Sequence, residues 1–113
     1  MPSKKTLVTA LLLTALCATL PGAALAGNAI AGRAKAQTLC ENCHGADGMA
    51  TLPGAANLSG QQREYLREQL RAYRSGRRQG EQMNVIAKML TDADIENLVD
   101  WYSSIKISVE MPK

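Results

Sequence analysis

The sequence predicts an all-α domain, and three observations carry that prediction. Several stretches space their apolar residues at helical intervals behind recognisable caps. No two stretches alternate apolar and polar residues as paired strands would; Ile105 to Val109 does alternate, but it has no second strand to pair with. The inventory of large side chains is also lean, with Trp101, Tyr65, Tyr73 and Tyr102 and no phenylalanine. Short helices with so few bulky residues need something large and apolar at their centre to complete a core.

The chain of 113 residues is long enough for one small domain. Its beginning reads differently from the rest. Lys4 and Lys5 give a positive start, Leu7 to Leu20 is almost uncharged and apolar, and Ala24-Leu25-Ala26 sets small residues at alternate positions. That order is the layout of a secretory signal peptide over residues 1–26, with cleavage near Ala26/Gly27. The apolar run falls short of the ~20 residues a membrane-spanning helix needs. No stable membrane anchor is therefore expected, and Cys17 goes with the discarded leader. The domain proper spans residues 27–113, and the leader implies export to the periplasm.

Within the domain, Asn28 to Leu39 is rich in alanine and is led by Asn28 as a helix cap. It runs into Cys40. A loop follows from Gly45 to Gly60, punctuated by Gly45, Gly48, Pro53, Gly54 and Gly60. Gln61 to Ser75 is the best-patterned helix. It sets Tyr65, Leu66, Gln69, Leu70 and Tyr73 on one face, Arg63, Arg67, Arg71, Arg74 and Arg78 roughly opposite, and Gly76 as its stop. A polar loop from Arg77 to Gln82 leads to Met83 and a short apolar turn, Val85-Ile86-Ala87. The last helix opens on Thr91-Asp92-Ala93-Asp94, a capping box with Asp in place of Glu. Ile95, Leu98, Val99 and Tyr102 then recur along one stripe, flanked by Trp101.

The formal charge is +3, and it drops to near +1 once Lys4 and Lys5 are gone. So small a surplus sets nucleic acid aside. Its distribution is lopsided: arginines crowd the stretch 63–78, while Asp92, Asp94, Glu96 and Asp100 crowd the last helix.

The chemistry lies in Cys40-Glu41-Asn42-Cys43-His44. Two thiols at this spacing can add across the two vinyl groups of a haem, and the next residue, His44, can then place its imidazole on the iron. A bare C-x-x-C also fits a redox pair, half a zinc site or a plain disulfide. A zinc site needs four ligands, and the domain offers two cysteines and one histidine. A thioredoxin-type pair belongs in a βαβ setting that is missing from this sequence. The adjacent histidine and the leader favour haem c, attached covalently and once.

His44 is the only histidine, so a second axial ligand must be of another kind. Met49, Met83, Met89, Met111 and Lys88 are the candidates. Met49 lies too near His44, Met111 lies in the tail, and Met89 beside Leu90 is spaced for core packing. Met83, between a polar loop and an apolar turn that can close over the ring, is the choice.

Taken together, Gly32, Cys40 to Gly45, Leu58-Ser59-Gly60-Gln61, Tyr65-Leu66-Arg67-Glu68-Gln69-Leu70, Met83-Asn84-Val85-Ile86-Ala87 and Leu90-Thr91-Asp92-Ala93-Asp94-Ile95 resemble the small bacterial class I c-type cytochromes. The resemblance implies a helical wrap around one haem in which the first and last helices cross, with Gly32 letting the backbone approach Trp101-Tyr102. It also implies that the carbonyl at position 56 accepts a bond from the haem histidine. Members of the family usually carry proline there, and this chain has Ala56.

A haem with both axial positions filled has no open site for substrate, so the expected role is a one-electron carrier and not an enzyme. The alternative is the cytochrome subunit of a periplasmic dehydrogenase, passing its electrons onward. Without Met83 on the iron, a five-coordinate haem would instead bind small gases. A redox partner would meet the exposed haem edge or the face of Arg63, Arg67, Arg71, Arg74 and Arg78. The competing reading of that face, slightly preferred, is a solvated surface neutralised by Glu64 and Glu68. The tail from Ile105 to Pro112 either lies on a partner or covers the haem edge.

Overall fold

The computed structural model describes residues 26–113, and the leader expected over 1–26 lies outside them apart from Ala26. Five helices form in chain order: α1 (Ala29–Leu39), α2 (Glu41–His44), α3 (Arg63–Ser75), α4 (Glu81–Lys88) and α5 (Asp92–Ser104). Among the described residues there is no strand, and no helix is long and apolar enough to cross a membrane.

Caps explain where the helices start. The Asn28 side chain accepts hydrogen bonds from the amides of Ile30 and Ala31, at 2.9 and 3.2 Å. Thr91 and Asp94 form the reciprocal capping box of α5, so aspartate does serve where glutamate is usual. α3 begins at Arg63, two residues later than its apolar pattern suggests, because Gln61 and Gln62 remain in the preceding loop. It stops at Gly76, whose φ of 80° is the left-handed conformation that terminates helices at glycine. The polar loop ends at Gly80, and Glu81 to Lys88, with Met83 inside it, is a helix of two turns rather than the end of a loop and a short apolar turn. Its apolar residues are too few to show a period, so spacing alone does not reveal it.

α1 packs chiefly across α5, and α3 packs on both α4 and α5. The α1–α5 crossing is close at Gly32, where a Cβ would overlap the backbone carbonyl of Asn97 and lie 2.9 Å from Cβ of Trp101. The expected approach thus exists, although its nearest neighbours are Asn97 and Trp101 rather than Tyr102. The core beside it contains Ala36, Leu66, Leu90, Ile95, Leu98, Val99 and Tyr102. Ile95, Leu98 and Val99 are fully buried, and each such side chain contributes about 1.5–3 kcal/mol.

The arginine face of α3 is turned against α5. Arg67 grips the buried Glu96 with two bonds of 2.8 and 2.7 Å, and Arg71 adds a third at 3.3 Å. Arg63 pairs with Asp100, and Arg74 reaches Asp92 at 2.5 Å and the Leu90 carbonyl at 3.1 Å. The acids that neutralise this face are therefore chiefly those of α5. Four arginines of the face meet three of those acids, with Glu96 shared by Arg67 and Arg71, so most of its positive charge is countered within the fold. Glu64 contributes only a long contact to Arg67 at 3.8 Å, and Glu68 pairs with Arg77 instead. Arg78 does not belong to the face at all, because it lies beyond the end of α3. Its guanidinium bonds Gln69 at 2.6 Å and sits 4.6 Å from the ring centre of Tyr73.

Candidate functional site

The opposite face of α3 borders a cavity of about 510 Å³, within the roughly 300–1,000 Å³ common for cofactor and ligand sites. Tyr65, Leu66, Gln69, Leu70 and Tyr73, the whole patterned face, line one side. Leu39, Cys40, Cys43 and His44 line another, Leu52 to Ala56 with Leu58 a third, and Met83 with Ile86 a fourth; Leu90, Leu98 and Tyr102 also contribute. Four of the core residues (Leu66, Leu90, Leu98 and Tyr102) thus also form the wall of the cavity.

α2 is a single turn that presents the thiols. The amides of Cys43 and His44 both donate to the Cys40 carbonyl, at 3.2 and 2.9 Å, and the Gly45 amide donates to Glu41 at 2.9 Å. This turn puts Cys40, Cys43 and His44 on the cavity together. The two thiols are not bonded to each other. Burial pushes the Cys40 thiol up from its ordinary value, the reverse of the activation that a redox C-x-x-C pair requires. Among the described residues no three His, Cys, Asp or Glu side chains converge as metal donors, so nothing completes a zinc site around the cysteine pair.

His44 is oriented by the loop that follows it. Its Nδ1 lies 2.7 Å from the Ala56 carbonyl. A carbonyl only accepts, so the proton sits on Nδ1 and Nε2 keeps its lone pair. The bond implied by the resemblance is thus made without proline. The loop is held by its own bonds as well: the amides of Thr51 and Leu52 donate to the Cys43 carbonyl at 3.1 and 3.2 Å, and the Leu58 amide to Gly48 at 2.7 Å.

Of the four methionines among the described residues, Met83 alone lines the cavity. Met49 and Met111 are exposed. Met89, expected in the core, is 55% exposed just past the end of α4, where Ala87 and Leu90 are the residues turned inward. Lys88 does not line the cavity either, and neither does any residue of the tail 105–113. The tail's Val109 and Met111 are exposed and Ile107 lies against Gly60, so the tail takes no part in the cavity wall.

Two features of the walls were not apparent in the sequence. Tyr102 buries its hydroxyl against the cavity, where the weakly bonding Cys40 thiol is its neighbour and no oxygen or nitrogen partner is within reach. Burial also pushes its phenol well above the usual range. A buried hydroxyl left unmatched costs about 1–3 kcal/mol unless something bound supplies a partner. Arg78 is the one Lys or Arg among the lining residues. An apolar slot with two thiols, an imidazole lone pair, a thioether and a few polar groups at its border fits a flat, largely apolar macrocycle with a metal at its centre and charged groups at one edge.

Fold and site together define a class I haem-wrapping helical domain. The family model described as Cytochrome c matches residues 29–106. The chain is 43% identical over 68 residues to cytochrome c-554(548) of Halomonas halodenitrificans, a match covering 58% of this chain and 82% of that protein. It superposes on the crystal structure of reduced cytochrome c4 from Pseudomonas stutzeri with a TM-score of 0.67 and 34% identity, covering 74% of this chain and 48% of that one. A protein of Thiomonas intermedia named thiosulfate dehydrogenase electron acceptor is 39% identical over 70 residues, covering 61% of this chain and 32% of that protein. The chain thus spans about half the length of the solved cytochrome c4 and a third of the Thiomonas protein. It belongs to the cytochrome c family as a small bacterial class I c-type cytochrome, binds haem c covalently, and serves in electron transfer rather than catalysis.

Proposed function

We propose that this cytochrome is a one-electron carrier of the periplasm whose haem is joined to Cys40 and Cys43 and held axially by His44 and Met83. The observation that carries the reading is the convergence of these four side chains on one apolar cavity from which every other methionine among the described residues is absent. When bound, the haem supplies a reversible one-electron couple. The protein supplies the rest. Ala56 O fixes the His44 tautomer and strengthens its donor nitrogen. The thioether of Met83, a neutral and polarisable donor, favours the ferrous state and raises the potential. The walls of Leu39, Leu58, Leu66, Leu70 and Ile86 keep water from the metal. Ligands that are already in place need little rearrangement when an electron arrives or leaves. The periplasmic location rests on the leader expected over residues 1–26.

The test is the spectrum of the oxidised protein. Methionine-ligated ferric haem shows a weak far-red absorption band, which should vanish in Met83→Ala and persist in Met89→Ala. The reverse pattern would overturn the ligand assignment.

The Thiomonas relative favours a second reading, in which the chain accepts electrons from a periplasmic dehydrogenase as a bound subunit. Stoichiometric co-purification with a catalytic partner from the native cell would favour it, whereas a monomer at every step of purification would favour the free shuttle.

A further inference from the structure

We propose that Asn84 is the positioning residue for Met83, a lock that holds the ligand helix α4 against the end of α3. The inference rests on Met83 being the axial ligand. Its own support is a set of bonds that no other side chain in this part of the molecule makes. Asn84 Oδ1 accepts from the Gly80 amide at 2.8 Å, and Nδ2 donates to the Tyr73 carbonyl at 2.7 Å and to the Arg78 carbonyl at 2.9 Å. The Asn84 amide donates to the Gly80 carbonyl at 2.9 Å. Both amide protons and the amide oxygen are thus committed to main-chain groups on three sides of the loop 76–80.

The placement matters because α4 has little else to fix it at this end. Gly80 occupies its N-cap position with no side chain to offer, where a Ser, Thr, Asn or Asp would normally bind the first amides. Asn84 performs the fixing from inside the helix instead, and it reaches the last turn of α3, whose Tyr73 is a cavity wall. Met83 is the adjacent residue. A rotation of α4 about its far end, where Ala87 and Leu90 are buried, would carry Met83 away from the cavity while leaving the α1–α5 core intact. Asn84 opposes that rotation.

A merely structural asparagine would lower stability without touching the ligand, so the test separates the two. Asn84→Ala and Asn84→Asp are compared with Arg67→Ala, a destabilising change at Glu96, remote from the cavity. Asn84→Asp keeps the acceptor for Gly80 but sets a carboxylate oxygen against two carbonyls, so it loses the lock without shortening the side chain. Three readouts are taken on holoprotein: thermal melting, the pH at which the ferric far-red band is lost, and the rate at which carbon monoxide binds the ferrous protein. Carbon monoxide enters only while Met83 is off the iron, so its rate reports how often α4 swings out. Both Asn84 variants should lose the far-red band at lower pH than wild type and bind carbon monoxide about tenfold faster, as the loss of part-buried amide bonds worth about 1–1.5 kcal/mol would give. Arg67→Ala should melt earlier with band and rate unchanged. If both Asn84 variants melt earlier but keep wild-type band and rate, Asn84 only stabilises the fold and the proposal falls. If wild type itself has no band that Met83→Ala removes, the ligand assignment falls first and takes this inference with it.

Discussion

The two faces of α3 solve opposite problems with residues one position apart. The face of Arg63, Arg67, Arg71 and Arg74 meets the acids of α5, and polypeptide alone satisfies it: every charge has a partner within the fold. The face of Tyr65, Leu66, Gln69, Leu70 and Tyr73 meets a cavity that no described residue fills. One half of the molecule is a finished interface, and the other is a mould for a cofactor. The ion pairs fasten the back of α3 to α5 and do not reach the cavity.

The contrast is broken most completely by removing the cofactor's attachment. Cys40→Ala combined with Cys43→Ala should leave α3 and α4 with no centre to pack on. Circular dichroism and limited proteolysis should then show loss of the cooperative fold, an effect larger than that of any change on the clamped face. A variant that stayed folded and protease-resistant would mean that the α1–α5 half stands alone.

Breaking the clamp should be the next largest effect. Arg67→Ala strands a carboxylate that is 6% exposed, and removing one partner of a buried pair costs about 3–5 kcal/mol, with Arg71 holding the loss toward the lower end. The same pair sets the acid limit. The Arg67 bonds hold the Glu96 carboxyl below its ordinary range, and the Thr91 amide holds Asp94 low. Folded protein therefore binds fewer protons than unfolded chain. The stabilisation is complete above the ordinary carboxylate value of about 4.3 and drains away as pH falls through the lowered one. Glu96→Gln should flatten that part of the acid-unfolding curve, as followed by denaturant titration at stepped pH. An unchanged slope would assign acid lability elsewhere.

What the sequence disclosed follows the same division. The cavity face was legible because its elements are local: Cys40, Cys43 and His44 sit within five positions, and the apolar face of α3 repeats at helical spacing. The capping roles of Asn28 and Thr91 were legible for the same reason. Glu96 was not, because its partners Arg67 and Arg71 are 29 and 25 residues away, and a glutamate among other acids looks solvated. Met89 was misread as core because its neighbour Leu90 is buried, and a one-residue step rotates a side chain by more than a quarter turn. Asn84 gave no signal, since an asparagine that bonds backbone from within a short helix resembles any polar surface residue.

Gly32 tests the crossing on which the clamped half depends. Gly32→Ala sets a methyl group against the Asn97 carbonyl and Trp101 Cβ. Those atoms belong to a packed helix and cannot yield as a flexible side chain would, so about 1–3 kcal/mol should be lost in thermal or denaturant melts. The ferric far-red band should stay, because the ligands lie on the other half. A lost band with little loss of stability would mean that the halves are coupled more tightly than the clamp implies.

The smallest effect sharpens the comparison from the cavity side. Ala56 gives only its carbonyl to His44, and its own N–H makes no hydrogen bond among the described residues. Ala56→Pro therefore removes no native bond, while restricting the unfolded chain should add about 0.4–1 kcal/mol. Stability by denaturant titration should rise slightly, with the far-red band fixed in position, since the imidazole keeps the same acceptor. A fall in stability would show that the backbone at position 56, or at Ala55 before it, does not tolerate the geometry that proline imposes on both residues. The His44 bond would then depend on a loop shaped by its other contacts: Thr51 and Leu52 to Cys43, and Leu58 to Gly48.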